Sequence, residues 1–293
     1  MGDLVLSLIA AAIRLSVPIL LAATGEVIVQ RSGAINIGVE GILLSGAFAA
    51  MAGAHALGTS GFAPWAGLSL ALLIGLLWGL VFAYFCVWRG ADQIVTGTAI
   101  NLTALGLTGF LNQQGYADVV RVSGFSPSWR AGLFGGAFLV AILTHLFLRS
   151  THLGLAIRAA GEHPHAVETA GVSVRWLRTG TVAFGGMMAG AAGGYLLLTQ
   201  VPTFIENMSA GRGFIAIAIV IFGRWSALGV LLGSLFFGAA DGLQLWLEAV
   251  GVGIPDEFLK MLPYLLTLAV LAGYAGRTQA PAKLGIPYRR ESL

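Results

Sequence analysis

Long apolar runs, each close to the length of a bilayer crossing, alternate along the chain with short polar or basic breaks. A membrane-spanning helix needs about 20 predominantly apolar residues. Leu4–Thr24, Ala34–Ala56, Pro64–Val87, Gln93–Leu111, Ala131–Leu148, Thr179–Thr199, Ser226–Leu247 and Phe258–Tyr274 fit this requirement, and Gly213–Phe222 reads as a shorter, broken or tilted element. The pattern predicts an all-α fold, a polytopic transmembrane helix bundle of about nine spans within a range of roughly eight to ten. The alternation that marks a membrane β-barrel is absent. Met1-Gly2-Asp3 offers no basic leader and no small-residue cleavage site, so the first run reads as a span and not as a cleaved signal peptide. No linker or polar domain interrupts the series, and residues 1–293 read as a single transmembrane domain.

Composition strengthens this reading. Hydrophobic residues make up 57% of the chain and charged residues 10%, against about 25% charged in a soluble domain. The mean hydropathy is +0.86. With Cys86 as the single cysteine, disulfide scaffolds and cysteine metal clusters are excluded. Small residues let membrane helices approach closely, and the 42 glycines point to a tightly packed bundle.

The isoelectric point near 9.3 reflects where the arginines lie. Arg149, Arg158, Arg175 and Arg178 fall in the polar segment 149–178, and Arg277, Lys283, Arg289 and Arg290 in the last segment. The positive-inside rule makes both segments cytoplasmic, and parity adds Arg31, Arg89 and Arg224 to that side. The opposite side carries Asp118, Arg121, Arg130, Glu206, Asp256 and Glu257. The N-terminus is then outside and the C-terminus cytoplasmic. This asymmetry is a membrane topology and not a nucleic-acid footprint.

Three segments carry candidate chemistry. In Arg158–Gly171, Pro164 suits a first helical turn, Glu162 complements its positive end, and Gly171 suits a left-handed cap. A short helix is expected from Pro164 to Ala170, either a knob for a partner protein or a helix lying at the lipid interface. In Gly25–Gly41, which joins the first two spans, Asn36 and Glu40 stand four apart and would share one helical face. Glu40 is expected to face the bundle or a wet cavity, as a pathway or gate residue or as a lock bonded to freed backbone N–H groups or to Arg31. In Asp92–Thr103, Thr98 and Asn101 either line a polar path or join helices. Arg14 lies in the first span and would need a partner such as Asp241. The external loop 112–130 is either a solvated connector, a segment resting on the membrane surface or a contact for an outside partner.

No phosphate-binding loop, zinc-protease motif or nucleophile elbow occurs. No ATP site, metal site or catalytic residue is expected in this chain.

The string SGAINIGVEG at 32–41 followed by Gly46-Ala-Phe, the string DQIVTGTAINLTALGLTG at 92–109, RAAGEHPHAVETAG at 158–171 and LGIPYRRE at 284–291 stand in order along nearly the whole chain. Together they resemble the permease subunits of nucleoside and simple-sugar ABC importers, within the wider group that includes branched-chain amino acid and ribose permeases. The resemblance implies a plasma-membrane protein of the bacterial or archaeal cytoplasmic (inner) membrane. It implies two cytoplasmic ATPase subunits that bind the ATP and Mg, a second and non-identical permease subunit, and an extracytoplasmic solute-binding protein. It makes Glu162, His163, Pro164, His165, Ala166, Val167, Glu168, Ala170 and Gly171 the ATPase-coupling segment. Asn36, Glu40, Thr98 and Asn101 would offer hydrogen bonds in the translocation path, with Phe48 or Phe214 stacking on a base. The substrate is expected to be nucleoside-like, with sugars or branched-chain amino acids as the alternative. An ion-driven secondary transporter is the rival class, and the spans lack an obvious acidic pair at one depth to support it.

Overall fold

The computed structural model describes residues 2–115, 120–251, 255, 258–259, 261, 265–266 and 280–288, with side chains from residue 9 onward. The described residues form helices joined by short links, and their one β-bridge pairs Arg121 with Thr203. The helices are α1 (Gly2–Arg31), α2 (Val39–Ala56), α3 (Ala63–Ala83), α4 (Gln93–Gly115), α5 (Pro127–Ser150), α6 (His152–Glu162), α7 (Pro164–Thr169), α8 (Val174–Tyr195), α9 (Arg212–Phe222) and α10 (Ala227–Val250). Wider π-helical turns, Tyr84–Trp88 and Leu196–Gln200, extend α3 and α8.

Among these, seven helical segments are long and apolar enough to cross a membrane, and α9 is a shorter apolar helix. Eight of the nine expected segments thus contain a helix; Phe258–Tyr274 lies largely outside the described residues. The boundaries differ where glycine and polar residues thin the apolar signal. α1 runs on to Arg31 instead of ending near Thr24, because Gly25 packs directly on Gly185 and Met188 of α8. Its end is a Schellman-type stop: Gly33 has φ +93°, and Ala34 N donates to Val29 O at 3.3 Å.

α1, α2 and α8 form the buried centre, and α4, α5 and α10 are mostly exposed at its periphery. Shape complementarity at the centre is made by small residues. α3 presents Gly75 and Gly79 to Gly186 and Gly190 of α8, and a methyl group on any of these would strike the facing backbone. Such close approach maximises dispersion contact where no hydrophobic effect acts between helices.

The loop before α5 folds back onto its own chain. Val122 N donates to Pro202 O at 3.0 Å, Phe125 N donates to Leu198 O at 3.2 Å, and both side chains are buried. Val122 and Phe125 therefore pack this part of the loop onto the bundle, while Arg121 and Ser126 stay exposed.

Candidate functional site

Two places concentrate polar chemistry: a junction where α2, α4 and α9 meet, and the loop from α6 to α8.

At the junction, the first turn of α2 has free N–H groups that need acceptors. Asn36 Oδ1 accepts from Gly38 N at 3.0 Å, and Asn101 Oδ1, from α4, accepts from Gly41 N at 2.8 Å. Asn101 Nδ2 donates to Ile37 O at 3.0 Å. Gly41 is required here, since a Cβ would overlap the backbone of Asn101. Asn36 does not share a helical face with Glu40: the Schellman stop ends α1, and α2 begins only at Val39.

Glu40 reaches across to α9. Its Oε1 accepts from Gly211 N at 2.8 Å and its Oε2 from Gly213 N at 2.7 Å. Gly211 has φ +80°, a left-handed geometry that turns the irregular segment 201–210 into α9. The eleven residues of α9 span about 16 Å, roughly half a bilayer core. α9 is thus a half-helix whose positive end is filled by the chain's own carboxylate. Phe214, next in sequence, is 49% exposed. Thr98 is exposed on α4 and its hydroxyl donates to Ile94 O at 2.9 Å.

The structure thus brings Asn36, Glu40, Asn101 and Phe214 to one junction. Phe48 stands apart, further along α2, edge-on to Phe204 at 5.3 Å. Arg14 is exposed and does not meet Asp241, whose charged neighbour is Arg212 at the start of α9. Sequence reasoning missed a buried chain of polar groups beneath the junction. Glu26 Oε1 accepts from Gln30 Nε2 at 3.1 Å and from Asn36 N at 3.1 Å. Gln30 Oε1 then accepts from Trp225 Nε1 at 2.7 Å. The i, i+4 spacing of Glu26 and Gln30 was the available signal. Glu206 and Gln113 were missed too; they join at 3.2 Å across an exposed face between α4 and segment 201–210.

In the loop, α7 spans Pro164–Thr169, with Pro164 in its first turn and Gly171 at φ +85° just beyond it. Ala170 lies in the turn after the helix. Pro164 and Val167 are buried; Val167 packs with Ala160 and Val174. These two residues hold α7 to its own chain, because they lie on its inner face. The surface left open is His163, His165, Ala166, Thr169, Ala170 and Gly171. Glu168 Oε2 accepts from Val174 N at 3.0 Å and so closes the start of α8.

Residues 280–288 lash this loop to the α1–α2 link. Ala282 N donates to Glu162 Oε2 at 3.1 Å, Lys283 N to Gly161 O at 2.8 Å, and Gly285 N to Gly33 O at 3.0 Å. Glu162, the last residue of α6, thereby anchors residues 280–288 as a strap. The His165 and Tyr288 rings meet edge-on at 5.3 Å. Arg178, buried in α8, ties the three pieces together: Nε donates to Ser32 O at 2.9 Å and Nη1 to Ile286 O at 2.8 Å. Among the described residues no group of three or more His, Cys, Asp or Glu could hold a metal ion.

Residues 8–271 match the family model described as branched-chain amino acid transport system / permease component. The chain belongs to this family. It is 34% identical to the guanosine ABC transporter permease protein NupQ of Bacillus subtilis, over 92% of each chain. It is 33% identical to the nucleoside ABC transporter permease protein NupC of Lactococcus lactis, over 93% of each chain. It is 29% identical to the putative glucose ABC transporter permease protein TsgC13 of Haloferax volcanii, over 96% of this chain and 94% of that one. No solved structure matches. The chain is thus a multi-pass membrane permease component, and the α6–α8 loop and the α2–α4–α9 junction are parts of a transporter subunit.

Proposed function

We propose that this chain is a permease subunit of an ATP-driven importer for a nucleoside. It works with cytoplasmic ATPase subunits, a second, unlike permease and an external solute-binding protein. The observation that carries the substrate class is the Glu40 carboxylate on Gly211 and Gly213. In transporters with broken helices, a half-helix N-terminus is free to receive an anionic group of the substrate. Here that position is already filled, which favours a neutral solute over the carboxylate of an amino acid. Phe214 beside it offers an exposed ring for a flat base. The full-length likeness to permeases named for guanosine and nucleosides agrees with this reading.

In this reading ATP and Mg are bound by the partner ATPases. ATP closure of the ATPases would press on the open face of α7, and the strap would carry that motion to the α1–α2 link and so to Glu40 and Asn101. Rigid movement between two packed states meets the physical requirement. Arg31 and Arg149 lie in the last turns of α1 and α5, Arg89 and Arg224 follow helices, and Arg175 stands in the first turn of α8. That clustering supports a cytoplasmic loop and C-terminus, an outside N-terminus and residence in the inner membrane.

The test is uptake of labelled guanosine, glucose and leucine by vesicles bearing the complete complex. Guanosine uptake that needs ATP and is not displaced by leucine supports the proposal. Glucose uptake without guanosine uptake would move the assignment to sugars, the reading favoured by the likeness to TsgC13. Uptake by this chain alone on an ion gradient would refute it.

A further inference from the structure

Where α5, α6 and α8 meet on the side of the coupling loop, they leave an apolar cavity of about 460 Å3. Thr144 and Phe147 of α5, Ile157 of α6, and Gly180 and Phe184 of α8 line it. It stays empty because Gly180 contributes no side chain: a Cβ there would meet no atom within 4 Å. Its rim is open to the surroundings, since Leu153 is 60% and Trp176 67% exposed.

The rim carries ordered polar chemistry. Trp176 stands edge-on to Trp88 at 5.0 Å, and Trp88 Nε1 donates to Thr179 Oγ1 at 3.0 Å. The Arg175 guanidinium lies over the Trp88 ring, 6.0 Å from its centre. Arg175 Nε is buried and has no hydrogen-bond partner among the described residues. Tryptophans mark the headgroup level of a bilayer, and a guanidinium supplies forked donors for a phosphate. Trp176 lines the slot and meets Trp88, and Trp88 in turn carries the Arg175 guanidinium, so the slot, the tryptophan pair and the cation are linked in series.

We propose that this cleft is a binding site for an anionic phospholipid of the coupling-loop leaflet. One acyl chain lies along Gly180 between α5 and α8, and the phosphate rests against Arg175. A lipid held there touches the helix that begins immediately after α7, so its occupancy braces the base of the coupling loop. The inference extends the permease reading, but lipid binding can be measured whether or not nucleoside is the substrate.

The experiment is native mass spectrometry of the assembled transporter, delipidated and titrated with phosphatidylglycerol or phosphatidylcholine. The wild-type complex should retain phosphatidylglycerol in preference to phosphatidylcholine. Arg175→Gln should weaken phosphatidylglycerol retention about fivefold, the contribution of one basic residue at a lipid surface. Gly180→Leu, whose Cβ would meet no atom within 4 Å, puts a side chain into the slot and should remove the tightly held lipid while the complex still assembles. Equal retention of both lipids, or no change in either variant, would overturn the site and leave annular lipid only. A photoreactive group at position 176 should label lipid; labelling of an ATPase or permease subunit there would also overturn it.

Discussion

Glu40 Oε2 accepts a hydrogen bond from the backbone N–H of Gly213 at 2.7 Å, across 173 residues of sequence. With the matching bond to Gly211, it fixes where α9 begins and joins it to α2. Glu40→Ala leaves two N–H groups without acceptors away from water, at a cost of about 3 kcal/mol. Thermal unfolding of the purified subunit in detergent should fall by several degrees, and Glu40→Gln, which keeps one acceptor, should fall less. An unchanged melting temperature in Glu40→Ala would refute the lock.

Asn101 should behave as a brace for α2. Asn101→Leu loses both the bond to Gly41 N and the bond to Ile37 O, and should destabilise the subunit by about 2 kcal/mol while lowering uptake. Asn101→Asp keeps the acceptor and loses the donor, and should lie between Leu and wild type. Uptake lost with stability intact would instead assign the amide to contact with the solute.

On α7, neighbouring positions should give opposite results. Ala166 is open, so Ala166→Trp should leave the melting temperature unchanged and abolish ATPase binding, read by co-purification. Val167 is buried against Ala160 and Val174, so Val167→Ala should lower stability by about 1–2 kcal/mol and reduce ATPase binding only through loosening of the loop.

Arg178 should matter for transmission more than for assembly. Arg178→Lys keeps the charge but cannot reach Ser32 O and Ile286 O with one planar fork. The complex should form and hydrolyse ATP, while nucleoside uptake per ATP falls several-fold. Coupled uptake at the wild-type ratio would separate the strap from the transport cycle.

The sequence makes local features legible and distant ones opaque. Pro164 and Gly171 announce α7 because both restrict backbone angles within their own turn. Apolar length alone locates the helical segments, seven of which among the described residues are long enough to cross a membrane against the nine expected, and the brevity of Gly213–Phe222 already marks α9 as a shorter apolar helix. The spacing of Asn36 and Glu40 misleads because Gly33 stops the helix between them and the end of α1. Arg14 and Asp241 look like partners because both are charges within spans, but α9 brings Arg212 to Asp241 first. Nothing in composition joins Arg178 to Ser32 and Ile286, since that contact is made by folding and not by periodicity. For the same reason Glu26 and Gln30, read as part of a connection, turn out to be buried in α1.

The strap also gives the α6–α8 loop a place in time. Ala282 is made 120 residues after Glu162, a delay of roughly 6–24 s at ordinary translation rates. Until then α7 lacks the backbone bonds that hold its base, whatever the state of the spans before it. A chain cut short of residue 280 leaves Glu162 Oε2 and Gly161 O without these donors. Closure of the loop is thus a late event in synthesis of the subunit, because its last bonds wait for residues 282–285.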